Sequence, residues 1–265
     1  MKRRLLMWMG VTGPLALAAG PAIAQAPTGG SKTYVLVSGT WCGGWFMKPV
    51  AEELRAQGHH VFTPTHTGTG ERKHLLSRDI TLDTFIVDVM NVIEAEELND
   101  VILVGHSSAG LPVTGVVDRM PDRIRHLVYL DAFLAQSGQN FLDTLPPEVA
   151  EARRKAVKEI NGVRVLPSPS GGPATPENPI AAWLQRRGTP HPFSTFETPL
   201  VLRHPIGNGR PCTYVAFTKS PNPALEPTRT LARAQKDWHL AELLQNHPAP
   251  VFAPKEVAQL LMGIS

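Results

Sequence analysis

The sequence predicts an α/β protein with a mostly parallel central sheet and helices on both faces, and three observations support this. β-rich runs alternate with helix-period runs along most of the chain. The run Val101-Ile102-Leu103-Val104 is apolar at every position, as a strand covered on both faces must be. About 240 residues remain after a leader-like N-terminus, enough to bury one full core. Strand, helix, strand order of this kind implies parallel pairing through crossover connections.

The N-terminus comes first. Lys2-Arg3-Arg4, an apolar stretch from Leu5 to Ala19, and Ala22-Ile23-Ala24 before Gln25 have the three parts of a secretory signal peptide over residues 1–24, leaving 25–265 as a single domain. The apolar stretch is interrupted by Gly10, Gly13 and Pro14 and is short for a bilayer span, so no stable membrane anchor is expected after leader removal. The protein is expected to be exported, periplasmic or secreted; Arg3-Arg4 leaves a twin-arginine route open. Loss of Lys2, Arg3 and Arg4 takes the formal charge from +3 to zero. No basic stripe remains to suggest nucleic acid, and Arg153-Arg154-Lys155 reads as a solvated helix face.

Thr33 to Val37 reads as the first strand, Pro49 to Gln57 as a helix and His60 to Thr63 as a short strand. Leu82, Phe85, Ile86, Val89 and Ile93 mark one face of a helix. A strand at Val101 to Val104, a helix at Leu111 to Arg119 and a strand at His126 to Leu130 follow. The regularity breaks over about 133–210, where Leu145-Pro146-Pro147, a charged helix from Glu148 to Ile160 and the Pro/Gly/Ser-rich run Leu166 to Pro179 interrupt it. So long an interruption at the sheet edge suits a lid, whose Trp183 and Phe193 either line an apolar pocket or form lid core. The sheet resumes at Thr213 to Thr218, then a helix at Leu225 to Lys236, a strand near Trp238 to Leu244 and a helix at Pro254 to Met262. Cys42 follows one strand and Cys212 begins another, so a parallel sheet places them at opposite edges and both read as free thiols. Neither cysteine nor histidine spacing gives a zinc pattern, and no metal or organic cofactor is expected.

The chemistry centres on Gly105-His106-Ser107-Ser108-Ala109, where the apolar strand stops and a helical pattern opens with Leu111-Pro112 in its first turn. Small residues on both sides of Ser107 let a tight strand-to-helix turn lift its hydroxyl above the sheet edge. A serine needs a base, and the base a third group to orient it. His247, in the loop after the last strand, lies on the same edge as Ser107, whereas His106 adjoins the serine but should point elsewhere. Asp131 ends the strand Leu127 to Leu130, one helix and one strand beyond Ser107, which suits an orienting carboxylate; Glu226 is the alternative acid. Developing negative charge on the substrate oxygen needs N–H donors. One falls to Ser108 and another to the loop Ser38-Gly39-Thr40-Trp41-Cys42-Gly43-Gly44-Trp45, whose glycines permit close backbone approach.

With these pieces placed, the chain resembles the α/β-hydrolase superfamily, in the branch of plant methyl esterases, hydroxynitrile lyases and small bacterial esterases. The resemblance rests on Val35 to Trp45, Thr67 to Leu75, Val104-Gly105-His106-Ser107 and Leu127 to Phe133. It implies a sheet of about eight strands, an inserted helical lid, Ser107 as nucleophile, His247 as base, and the N–H groups of Thr40 and Ser108 as oxyanion hole. Ser38 stands where a histidine usually opens the first motif, Ala109 where the elbow has glycine, and Asn246 where glycine precedes the base. Ser220 stands near the plant esterases' triad acid, which moves that role to Asp131.

The function expected is hydrolysis of a small-molecule carboxylic ester through an acyl-Ser107 intermediate. A non-catalytic ligand-binding protein on the same fold is one alternative, since the triad acid has moved. A hydroxynitrile lyase is another, although Gly39 and Pro248 stand where the lyases carry threonine and lysine. Substrate identity, whether ester, lactone or amide, and oligomeric state are not legible.

Overall fold

Alternate side chains of a strand face opposite ways, and the apolar ones here divide into two cores on that rule. Val35, Val37, Leu103, Leu127 and Tyr129 join one; Tyr34, Leu36, Ile102, Val104, Val128 and Leu130 join the other. The structure is a computed structural model and describes residues 30–169 and 179–264. The signal peptide at residues 1–24 and most of the Pro/Gly/Ser-rich run lie outside the described residues.

The first half runs β1 (Thr33–Val37), α1 (Lys48–Ala56), β2 (His60–Phe62), α2 (Leu82–Ala95), β3 (Val101–His106), α3 (Gly110–Arg119) and β4 (Ile124–Leu130). Between β4 and the next central strand come α4 (Pro147–Ala156), β5 (Lys158–Ile160), β6 (Val163–Leu166), α5 (Pro179–Arg187), β7 (His191–Pro192) and α6 (Ser194–Glu197). The chain then forms β8 (Cys212–Phe217), α7 (Glu226–Arg233), β9 (His239–Leu243), α8 (Ala249–Phe252) and α9 (Pro254–Met262). The central sheet has the order β2-β1-β3-β4-β8-β9, every neighbouring pair parallel. α2 and α3 pack on one face, where Leu82, Ile86, Val89 and Ile93 meet Val113, Val116 and Val117. α1 and α9 cover the other with Val50, Leu54, Val257 and Leu261.

Two expectations need correction. Among the described residues the central sheet has six strands, not about eight, and β5, β6 and β7 are short, antiparallel and paired with one another in a separate sheet. The insertion is therefore helical and sheet-bearing rather than purely helical. The charged helix expected over Glu148 to Ile160 ends at Ala156, and Lys158–Ile160 is a strand. Asn161 and Gly162 lie at φ 50° and 75°, so the Asn-Gly pair turns the chain back and registers Ile160 against Val163. Cys42 and Cys212 are both buried and free.

Candidate active site

Adjacent strands β3, β4, β8 and β9 all point the same way, so the loops that follow them gather at one edge. Ser107 follows β3, Asp131 follows β4 and His247 lies beyond β9. Ser107 turns the chain at φ 58°, a left-handed conformation that costs a non-glycine residue of order 1–3 kcal/mol and is held by its surroundings. The Phe133 N–H donates to the Ser107 carbonyl at 2.9 Å, locking the turn to the segment after β4. Two glycines make room for it. A Cβ on Gly39 would stand 2.7 Å from the Ser107 Cβ, and one on Gly110 would stand 2.0 Å from the Phe133 carbonyl oxygen.

The hydroxyl of Ser107 lies 2.9 Å from His247 Nε2, and His247 Nδ1 lies 2.7 Å from Asp131 Oδ2. Residues separated by 140 and 116 positions thus form one hydrogen-bonded chain. Asp131 is almost wholly buried, at 1% exposure. Burial alone would raise its carboxyl. The hydrogen bond and charge of His247, together with Arg229 and the Phe217 N–H, outweigh burial and hold it below the usual carboxylate range. The Arg229 Nη2 donates to Asp131 Oδ1 at 3.0 Å and to the Phe217 carbonyl at 2.9 Å. Glu226, the alternative acid, is exposed and accepts from Arg233 at 2.8 Å, with no contact to His247. Ser220 donates to the Asn246 side chain at 2.7 Å, one residue before His247.

His106 does point away from the serine. Its Nε2 lies 2.8 Å from the His247 carbonyl, which can only accept, so that nitrogen carries the proton. Burial, then the nearby His247, push His106 down to about 3, so the ring is neutral and tethers the backbone of the residue beside it. Thr40 Oγ1 lies 2.8 Å from Ser108 Oγ, which joins the two segments expected to supply the oxyanion donors. The Thr189 N–H donates to the Trp41 carbonyl at 3.0 Å and the Trp41 indole N–H to the Leu166 carbonyl at 3.2 Å, pinning the insertion to the same loop.

A cavity of about 320 Å³ opens over Ser107 and His247, a size suited to a small molecule. Trp41, Phe133, Phe141 and Leu184 supply apolar wall, and besides the histidines and Ser107 its polar members are Thr40, Arg153, Ser168 and Asn222. Trp183 and Phe193 do not line it. Trp183 turns its edge to Trp45 with ring centroids 4.8 Å apart, under the Arg187 guanidinium. Phe193 is fully buried in the core cluster and is capped by the Arg164 guanidinium at 5.2 Å. Cys42 reaches the cavity, but burial pushes its thiol up to about 12, so it is not a thiolate at neutral pH. Arg153 corrects the reading of Arg153-Arg154-Lys155 as a solvated face. Only Arg154 and Lys155 pair outward, with Glu151, while Arg153 turns in on the side of buried Ala150.

Sequence reasoning missed Arg229, the tether made by His106, and Arg153. The spacing of Val149, Ala150 and Arg153 at i, i+1 and i+4 carries a signal for the last, since it sets the arginine on the helix face that packs inward.

Comparisons with known proteins identify the family and the fold. Residues 34–260 match the model of the alpha/beta hydrolase family. A carbendazim hydrolyzing esterase from Nocardioides sp. (strain SG-4G) is 38% identical over 246 residues, covering 87% of this chain and 98% of that protein. Salicylic acid-binding protein 2 from Nicotiana tabacum is 31% identical over 110 residues, 41% of this chain and 42% of that one. An extracellular alpha/beta-hydrolase from a Paenibacillus species superposes with a TM-score of 0.72 at 24% identity, over 87% of this chain and 98% of that one.

Proposed function

Because the chain belongs to the alpha/beta hydrolase family, we propose that Ser107, His247 and Asp131 run its acyl transfer, with Ser107 forming the covalent intermediate. The chain is a serine ester hydrolase, as the near full-length likeness to a bacterial esterase supports. In the reaction the Ser107 oxygen attacks the ester carbonyl carbon while His247 Nε2 takes its proton. The carbonyl oxygen becomes negative and receives the N–H groups of Ser108 and Thr40. Collapse expels the alcohol, protonated by the same Nε2, and leaves acyl-Ser107. Water activated by His247 then releases the acid. Asp131, kept ionised by its donors, holds the imidazole with Nδ1–H toward itself and stabilises the imidazolium between the two proton transfers.

The single observation that carries this reading is the unbroken hydrogen-bonded path from the Ser107 hydroxyl to the buried Asp131 carboxylate. A ligand-binding protein that had lost turnover has no use for such a path. The cavity supports a small ester with an apolar portion as substrate. Residues 1–24 support export, with the enzyme acting in the periplasm or outside the cell; N-terminal sequencing of exported protein tests it.

Purified residues 25–265, mixed with p-nitrophenyl and aryl methyl esters, should release alcohol in a burst matched by an acyl mass increment on the protein. Ser107→Ala should abolish both. Undiminished turnover in that variant would overturn the assignment.

A further inference from the structure

Among the described residues, the cavity wall over Ser107 contains Arg153 and no aspartate or glutamate. Arg153 has no ion pair and no hydrogen bond among the described residues, and its Nε is sealed from solvent without a partner. What it does have is aromatic support. Its guanidinium carbon lies 5.4 Å from the centroid of Phe141 and 5.8 Å from that of Phe196, rings themselves stacked at 4.2 Å. Those contacts hold the face of the guanidinium and leave its edge, the donor fork, unspent. Three other cations of the insertion find carboxylates: Arg154 and Lys155 reach Glu151, and Arg164 reaches Glu197 through both terminal nitrogens.

A cation withdrawn from water without a counter-ion costs stability, and ring contacts return only part of that cost. The cost is recovered when an anion occupies the cavity, since a guanidinium edge matches a carboxylate with two parallel hydrogen bonds. We propose that Arg153 is the anchor for a carboxylate on the substrate, so that the preferred esters are half-esters of dicarboxylic acids or esters of comparably acidic molecules. This rests on the ester-hydrolase reading for its turnover test and stands apart from it for its binding test.

The experiment compares mono-p-nitrophenyl esters of succinate, glutarate and adipate with p-nitrophenyl esters of monoacids of equal length, on the wild type, Arg153→Met and Arg153→Lys. The wild type should favour at least one half-ester by about tenfold or more in kcat/KM. Arg153→Met should bring that ratio to about unity, with Arg153→Lys between, because it keeps charge and loses the fork. In parallel, glutarate is titrated by calorimetry into Ser107→Ala, which cannot turn over, with and without Arg153→Met. Binding should weaken tenfold or more when the arginine is removed. No preference for any half-ester, or a ratio and a glutarate affinity indifferent to Arg153, would overturn the proposal. Glutarate binding lost with Arg153 in a protein that hydrolyses no ester would instead overturn the hydrolase reading and leave the anion site standing.

Discussion

Asp131 accepts from three residues at once: His247 on one oxygen, and Arg229 and the Phe217 N–H on the other. An asparagine there would keep the shape and lose the charge that stabilises the imidazolium, so Asp131→Asn should lower kcat/KM by about 10³ to 10⁴-fold. Glu226→Gln should leave it within about threefold, since Glu226 is exposed and engages Arg233 rather than His247. Steady-state kinetics on the two variants decide it, and the reverse ranking would move the acid to Glu226. The three residues proposed as the triad are legible in the sequence because each follows a strand, and strand ends in a parallel sheet are where such groups converge. Arg229 and His106 are not legible, because nothing local distinguishes an arginine that meets Asp131 across 98 residues from one that meets solvent. Trp183 and Phe193 mislead for a related reason: an aromatic side chain serves a cavity wall and a lid core equally well, and only packing chooses.

The element that sets the geometry is the turn from β3 into α3, welded to the segment after β4. The Phe133 N–H holds the Ser107 carbonyl while the Phe133 carbonyl presses on Gly110. A methyl group at Gly110 would meet that carbonyl oxygen at 2.0 Å, and both partners are backbone, so neither can swing aside. Gly110→Ala should therefore move the 131–133 segment away from α3, lowering stability by about 2 kcal/mol or more and cutting kcat more than it raises KM. Thermal melts and kinetics on the variant test this; an unchanged melting temperature with full activity would show that the contact yields. The alternation of central strands and helices is legible because burial on two faces forces unbroken apolar runs. The insertion is less so. Its strands are short, and the charged helix of α4 runs on in composition past the point where Asn161-Gly162 forces a hairpin, so periodicity overran a turn signal that was present.

Four histidines are buried among the described residues, and burial shifts three of them: His106 behind the sheet edge, and His191 in the insertion and His66 in the loop after β2, which share the ring of Phe85. Burial, opposed at His66 by Asp88 and aided at His191 by His66 and Arg153, pushes His66 down to about 4 and both His106 and His191 down to about 3. In the unfolded chain each takes up a proton near pH 6.5, whereas the folded protein resists until these lower values. Between pH 6.5 and about 4 the unfolded state therefore binds more protons, so the stability these neutral rings permit is full above pH 6.5 and drains as pH falls. Each contributes a slope of about 1 kcal/mol per pH unit, a large fraction of the 5–15 kcal/mol typical of a domain. Asp131, depressed instead, adds its own loss only at lower pH, as its carboxylate protonates. Urea unfolding at pH 7, 6 and 5 should show the midpoint falling steeply over this interval. His66 is the position to test, because neither ring nitrogen has a hydrogen-bond partner among the described residues and its ring stacks on Phe85 at 4.1 Å. His66→Phe removes one titrating group while keeping a ring, and should flatten the pH dependence by roughly a third. A variant with the wild-type slope, or a wild type whose stability is level from pH 7 to 5, would mean that these imidazoles take up protons in the folded state as readily as in water.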